Sequence, residues 1–299
     1  MTLPRRIIPG TTYLITRRCT QRQFLLKPSK MVNQIFAYCL AWASTITNVK
    51  LHAFVVMSNH WHAVVTDTDG RLPEFTELLH KFVAKCINTL LGRWENLWST
   101  EKCSYVELGG AEDILNKIVY VICNPVISGL VGTYRQWPGL VSLPEDYLNP
   151  PEEIKRVSIF FREDGTAPEV VNLKLSVPPA FEEIGEEEFA RLVESRCRKR
   201  EQEVKEKMKV EGRKPLGVKR ILKQKPTDSP ATETPHRNLN PRVASVNKWR
   251  RLEAARRIKS FIKLYREAWE KFKAGMRDVL FPEGTYWMRR FAGVACGPG

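Results

Sequence analysis

Nowhere does the chain reach the roughly 18 consecutive apolar residues that a membrane-spanning helix requires. Its first ten residues, MTLPRRIIPG, are basic but lack the apolar core of a secretory leader, so none is expected. The seven cysteines, at positions 19, 39, 86, 103, 123, 197 and 296, are odd in number and scattered, with no C-x-x-C. That pattern excludes a disulfide framework and a structural zinc knuckle, and it points to a reducing cytoplasm. No internal repeat is found. What the chain does have is length and charge. Its 299 residues suffice for one large or two modest domains.

The net charge of +15 is a property of one segment. Residues 196–263 carry 22 Lys and Arg against 7 Asp and Glu, which accounts for the whole excess. Such a block suggests a polyanionic partner, nucleic acid before membrane, because no lipid-facing amphipathic stretch with aromatic anchors accompanies it. The plainer reading is a solvated helical surface with a basic bias.

Hydrophobic periodicity orders the N-terminal half. Residues 11–19, TTYLITRRC, read as a strand ending in Arg17-Arg18. Residues 28–47 carry apolar side chains at Val32, Ile35, Phe36, Cys39, Leu40, Ala43 and Ile46, the spacing of an amphipathic helix started by Pro28-Ser29. Residues 73–91 form a second such helix, stopped by Gly92. Tyr105–Leu108 reads as a short strand and 111–123 as a third helix. Between the first two helices lies LHAFVVMSNHWHAVVT (51–66), two short apolar runs joined at Ser58-Asn59 and read as paired buried strands. The order β-α-β-β-α-β is that of a ferredoxin-like antiparallel sheet with helices, an α+β fold to which the third helix is an addition.

A domain boundary is expected around 138–151, dividing the chain into 1–145 and a mainly helical, basic extension, 146–299. Within the extension, residues 152–184 look irregular and 185–210 helical, and 212–226 hold a turn and a brief helix. Residues 227–241 read as a polar, Pro-rich loop, and 245–273 as a long amphipathic helix. The aromatic tail FPEGTYWMRRF is expected to dock.

Residues i and i+2 of a strand face the same way. His60 and His62 therefore project side by side and Trp61 points oppositely. Two convergent imidazoles make half of a divalent-metal site; the bland alternative is a histidine pair without chemistry. On the third helix, Ile114, Leu115, Ile118, Val121 and Ile122 form one apolar stripe. Asp113, Lys117, Tyr120 and Asn124 form a second, polar line that presents a phenol to something polar. Pro125 disfavours helical geometry at Asn124, so the helix should end or kink there and free Asn124 to turn towards the histidines. A surface tyrosine followed by an ordinary helix stop is the alternative.

Together these segments resemble a family. His60-Trp61-His62 matches the HUH pattern, and YVICNPVISGLV is similar to the single-tyrosine signature of the transposase-like HUH nucleases, with the REP-associated tyrosine transposases as the nearest branch. Met57-Ser58-Asn59 stands where these proteins usually carry Met-Pro-Asn, a change confined to the turn. The first strand departs from the usual pattern in having Arg17 and Arg18 but no histidine. The resemblance covers residues 11–135; beyond that, only the layout of a long basic extension is shared.

The resemblance implies a metal-dependent single-strand DNA endonuclease and strand transferase acting on DNA hairpins, cytoplasmic and nucleoid-associated in a bacterium. Mg²⁺ or Mn²⁺ would sit on His60, His62 and Asn124, with Tyr120 as nucleophile forming a 5′-phosphotyrosine. Lys117 is expected to lower the phenol's pKa. The expected DNA contacts are Arg17, Arg18, Lys117, Lys219, Arg220, Arg250, Arg251, Arg256 and Arg257. Relatives include monomers and homodimers, and the sequence is compatible with either. Two other readings fit the same residues: a hairpin-DNA-binding protein that no longer cuts, and a His-x-His metal hydrolase with no covalent step.

Overall fold

A computed structural model describes residues 4–162, 164–231 and 241–297. The N-terminal half follows the expected order: β1 (Thr11–Arg18), α1 (Lys30–Thr47), β2 (Val49–Met57), β3 (His60–Asp67), α2 (Leu72–Leu91), β4 (Ser104–Leu108), α3 (Ala111–Ile122) and a single further turn, α4 (Asn124–Ile127). The sheet runs β2-β3-β1-β4, antiparallel throughout, and a two-residue strand, β7 (Val243–Ala244), extends it beyond β4 in parallel. This is an α+β fold around a mainly antiparallel sheet.

Local chemistry explains the element ends. Helix α1 starts two residues later than expected because Ser29 lies outside it as a cap, its hydroxyl accepting from the Val32 amide at 3.1 Å. Helix α2 stops where Gly92 takes a left-handed conformation, φ 62°. Strand β3 is central and buried on both faces. Trp61, fully buried, packs on Phe36 of α1 (centroids 5.6 Å apart) and on His80 of α2 (5.6 Å). The opposite face of the sheet is covered by α3.

The C-terminal half contains β5 (Glu152–Lys155), β6 (Val170–Leu173), α5 (Gly185–Val210), α6 (Val218–Lys223), β7 (Val243–Ala244), α7 (Lys248–Lys273), β8 (Phe281–Pro282), α8 (Trp287–Ala292) and β9 (Cys296–Gly297). The segment expected to be irregular is not uniformly so. Strands β5 and β6 pair antiparallel from Glu152↔Leu173 to Lys155↔Val170. Ile154, Val171 and Leu173 are buried, whereas Glu152, Glu153 and Lys155 face solvent. Phe161, between the two strands, packs on Tyr38 of α1 (5.3 Å) and Phe82 of α2 (5.8 Å), which explains why α1 is apolar nearly all round. The expected Pro-rich loop 227–241 lies mostly outside the described residues. The tail docks as expected: Tyr286 and Arg290 reach the Glu74 carboxylate at 3.0 and 2.6 Å.

Helix α5 backs α3. Phe189, fully buried, meets Tyr147 and Phe181, each at 5.0 Å, and the Glu201 carboxylate accepts from the Tyr134 amide at 2.6 Å. Buried side chains of the sheet, α1–α3, the β5–β6 hairpin and α5 form one continuous cluster.

A buried histidine ties part of this together. His52 Nδ1 donates to the Ser176 carbonyl at 2.7 Å, and its Nε2 accepts from the Thr66 hydroxyl at 2.7 Å. Burial pushes its pKa down to about 4. An unfolded histidine titrates near about 6.5. The unfolded chain therefore binds the extra proton, so this stability is complete above that value and drains away as pH falls towards 4. Urea melts should show His52 alone costing about 2 kcal/mol at about pH 5 relative to neutrality. His52→Leu should be less stable at neutral pH but decline less steeply with acid.

Candidate active site

The tight turn at Ser58-Asn59 sets the register of β3. His60 falls opposite Arg18 of β1 and Met57 of β2, and His62 opposite Thr16 and Val55. The two imidazole centroids lie 4.8 Å apart on the face away from Trp61. His60 Nδ1 lies 2.6 Å from Asn59 Oδ1. A carboxamide oxygen can only accept, so Nδ1 carries the proton and Nε2 keeps its lone pair. His62 Nδ1 is held at 2.7 Å by the Thr16 hydroxyl. Among the described residues, neither Nε2 has a hydrogen-bond partner. Burial, then the charges of Arg18 and Arg22, lower the His60 pKa to about 4. His62 is lowered well below the usual histidine range, first by burial and then by His60, Arg18 and Lys117. Both rings are neutral at pH 7, the form that binds metals.

Helix α3 brings the phenol. Its apolar stripe, Ile114, Leu115, Ile118, Val121 and Ile122, is buried against the sheet and α5. Tyr120, at the margin of that contact, is half-buried with its ring 5.5 Å from that of His62. Some sixty positions of chain thus separate groups that share one site. The Lys117 ammonium lies 5.6 Å over the Tyr120 ring. The expected lowering of the phenol's pKa by Lys117 is not what the free protein shows. Burial raises it, and the opposing influences are a hydrogen bond from Asn124 and the charge of Arg18.

Helix α3 ends at Ile122 and the break falls at Cys123. Asn124, expected to leave helical geometry ahead of Pro125, instead opens the helical turn α4, which accepts Pro125 in its first turn, with only 3% of its surface exposed. Its side chain bonds Tyr120, while its Oδ1 accepts from the Ser128 hydroxyl at 3.4 Å. Asn124 is therefore beside the site, but its oxygen is turned to Ser128 rather than to the imidazoles. Among the described residues no cluster of three or more His, Cys, Asp or Glu side chains is placed to hold a metal. The donor set is two neutral nitrogens next to a phenol.

The basic residues divide into groups. Arg18 is exposed beside His60, whereas Arg17, one residue earlier and on the other face, donates to the Ser99 and Glu101 carbonyls and ties down that loop. Lys219 and Arg220, both exposed, sit on α6. That helix is held to the turn after α4 by backbone bonds from Leu216 and Gly217 to Gly129 and Leu130, and to the segment before α1 by Lys27 to the Leu222 carbonyl. Arg250, Arg251, Arg256 and Arg257 lie on α7, at the other end of the sheet. Arg250 donates to the Gly109 carbonyl, Arg251 to Ser245, and Arg257 pairs with Glu107 at 3.5 Å. Arg256 is exposed, with no ion pair among the described residues. Sequence reasoning missed Thr16, Asn59 and Arg22 as neighbours of the histidines. Asn59 stands next to His60 in the chain, and Thr16 follows from the β1–β3 register.

The chain is similar in structure to two solved transposases. A REP-associated tyrosine transposase bound to a REP hairpin aligns with TM-score 0.41 and 20% identity, over 55% of this chain and 99% of that one. A putative transposase from Deinococcus radiodurans aligns with TM-score 0.29 and 21% identity, over 42% and 97%. No family model and no curated protein matches the sequence.

Asn59 bridges His60 and the Arg22 carbonyl, to which its amide donates at 3.1 Å. Partners of this kind, when removed from ligating histidines, cost about 10- to 100-fold in metal affinity. If the two imidazoles hold a cation, as proposed below, Asn59→Ala should weaken Mn²⁺ binding by that factor in calorimetric titration. Nitrogen-15 shifts of the His60 ring should meanwhile show the loss of its single tautomer.

Proposed function

We propose that this chain is a single-strand DNA endonuclease and strand transferase that acts on hairpin-bearing DNA through Tyr120. One observation carries the reading: the Tyr120 ring packs against His62, whose neighbour His60 offers a second unpartnered Nε2. In this mechanism the Tyr120 oxygen attacks the scissile phosphorus and the bond to the 3′ oxygen breaks. The 3′-hydroxyl leaves with a proton, and the 5′-phosphate stays on the tyrosine. The new ester conserves the bond, so attack by a 3′-hydroxyl reverses the step and rejoins the strand.

The donor set fits a divalent cation bound through nitrogen, Mn²⁺ more naturally than Mg²⁺. When bound on the Nε2 atoms of His60 and His62, that ion supplies Lewis-acid polarisation of the phosphate. The chain's own groups do the rest. The Asn124 amide donates to the phenol oxygen and favours its ionised form, as does the Arg18 charge. Thr16 and Asn59 hold the imidazoles in the orientation that presents Nε2. Arg18 beside His60, and Lys219 and Arg220 on α6, offer cations to the phosphates of a strand entering the site. Hairpin preference follows from the motif resemblance.

A labelled hairpin oligonucleotide with a single-strand tail, incubated with Mn²⁺, should become covalently attached to the protein. Tyr120→Phe should abolish the adduct without loss of DNA binding, and His62→Ala should reduce it strongly. Because the phenol is held protonated, the rate should rise with pH through the neutral and mildly alkaline range. Tight binding with no adduct in the parent chain would instead identify a DNA-binding protein that no longer cuts. Cleavage that survives Tyr120→Phe would identify a hydrolase.

A further inference from the structure

The loop between α2 and β4 displays an indole to solvent. Trp94 is 99% exposed, more than any other large apolar side chain described, and makes no aromatic or cation contact among the described residues. Tryptophan is ordinarily mostly buried. The loop around it is nonetheless fixed. Gly92 turns the chain at φ 62°, the Arg93 amide bonds the Asn88 carbonyl at 2.8 Å, and the Asn88 side chain donates to the Glu95 carbonyl at 2.7 Å. Beyond the tip, Leu97 and Trp98 are buried, and Trp98 Nε1 donates to the His80 carbonyl at 2.9 Å.

The same loop is sewn to the end of β1 that carries the candidate site. The Thr20 amide bonds the Leu97 carbonyl at 2.9 Å and the Ser99 amide bonds the Arg18 carbonyl at 2.9 Å. The Arg93 guanidinium reaches Gln23 Oε1 at 3.4 Å. Residue 22, next to Gln23, is in turn held by Asn59, the partner of His60. A short path of contacts thus leads from the histidines through the 19–23 loop to Arg93, the residue before Trp94, with Arg18 and Arg22 along it. One carboxylate, Glu95, follows the indole.

We infer that Trp94 is a stacking post for an unpaired base of the strand that runs to Tyr120, a few nucleotides from the scissile phosphate. This rests on the nuclease reading. Every base has a π-face, so an exposed indole on a fixed loop, with Arg93 beside it in the chain, holds a single strand without regard to sequence. The surroundings disfavour other occupants. A protein partner's hot spot needs contiguous apolar surface, and Trp94 is bracketed by Arg93, Glu95 and Asn96. A membrane anchor needs further apolar side chains at the tip, and the loop offers none there.

The test uses the full chain carrying Tyr120→Phe, so that DNA is bound but not cut, and a fluorescent hairpin with or without a single-strand tail. Adding Trp94→Ala should weaken binding of the tailed hairpin about tenfold and leave the blunt hairpin unchanged. Trp94→Phe, which still stacks, should retain most of the affinity, and melting temperatures should not change. Equal affinities for the tailed hairpin with and without the Trp94→Ala change overturn the inference. So does an equal loss on the blunt hairpin, because the contact is then not to an unpaired base. The parent chain is assayed for the covalent adduct separately. Tail-dependent binding through Trp94 with no adduct leaves the stacking post standing and removes the nuclease; an adduct with affinities indifferent to Trp94 does the reverse.

Discussion

A side chain on a strand faces one of two ways, and at β3 the choice is forced. Trp61 is the largest fully buried side chain described, and its place is between α1 and α2. Burying an indole contributes more than any other single side chain in that layer, on the order of several kcal/mol. With Trp61 fixed inward, His60 and His62 can only project from the opposite face. A one-residue slip would turn the indole to the α3 face and bury both imidazoles among α1 and α2. The register that stabilises the fold is thus the register that assembles the site.

The site so formed is unusual in its electrostatics. Neutral imidazoles, a neutral amide and a protonated phenol are surrounded by Arg18, Arg22 and Lys117, and no carboxylate figures among the influences on the three titrating groups. Burial dominates each shift: it keeps the histidines unprotonated, which suits ligands, and keeps the phenol protonated, which does not suit a nucleophile. Two neutral nitrogens hold a dication weakly. On the proposed function a phosphate diester would supply the missing negative charge, so substrate and cation would each improve the other's binding. An isolated protein with a quiet phenol is what such an arrangement predicts.

Much of this is legible in one sequence, and the failures have physical causes. A long periodic stretch such as 185–210 matches the observed helix end to end, because a helix declares itself over several turns. The β5–β6 hairpin escapes notice because each strand has four residues and a Pro-bearing loop intervenes, too short a span for alternation to be distinguished from chance. Arg17 and Arg18 look like one basic pair in the sequence. Strand alternation separates them, and only Arg18 faces the histidines' side. The hydrogen bonds of Asn124 are beyond sequence reasoning. Its position next to Pro125 foretells the break in the helix, but the rotation of an amide depends on Tyr120 and Ser128 together. Thr16 is invisible for a related reason, since its role exists only across the β1–β3 ladder.

The basic extension does more than add charge, because it also holds the helix that carries the phenol. At the start of α3 the Asp113 carboxylate accepts from the Val246 amide at 2.7 Å, and Arg250 reaches the Gly109 carbonyl. Along its length α3 meets α5, where Arg196 pairs with Glu112 at 3.3 Å and Cys123 lies against Cys197. The ion pair is exposed and contributes at most about 1 kcal/mol. The apolar contact outweighs it: Ile118, Val121 and Ile122 are fully buried, and each such side chain contributes about 1.5–3 kcal/mol. Tyr120 is therefore positioned by hydrophobic burial on the far side of its helix rather than by polar contacts around its hydroxyl. The ring is thus set against His62 by the fold itself, and a change at the hydroxyl need not move it.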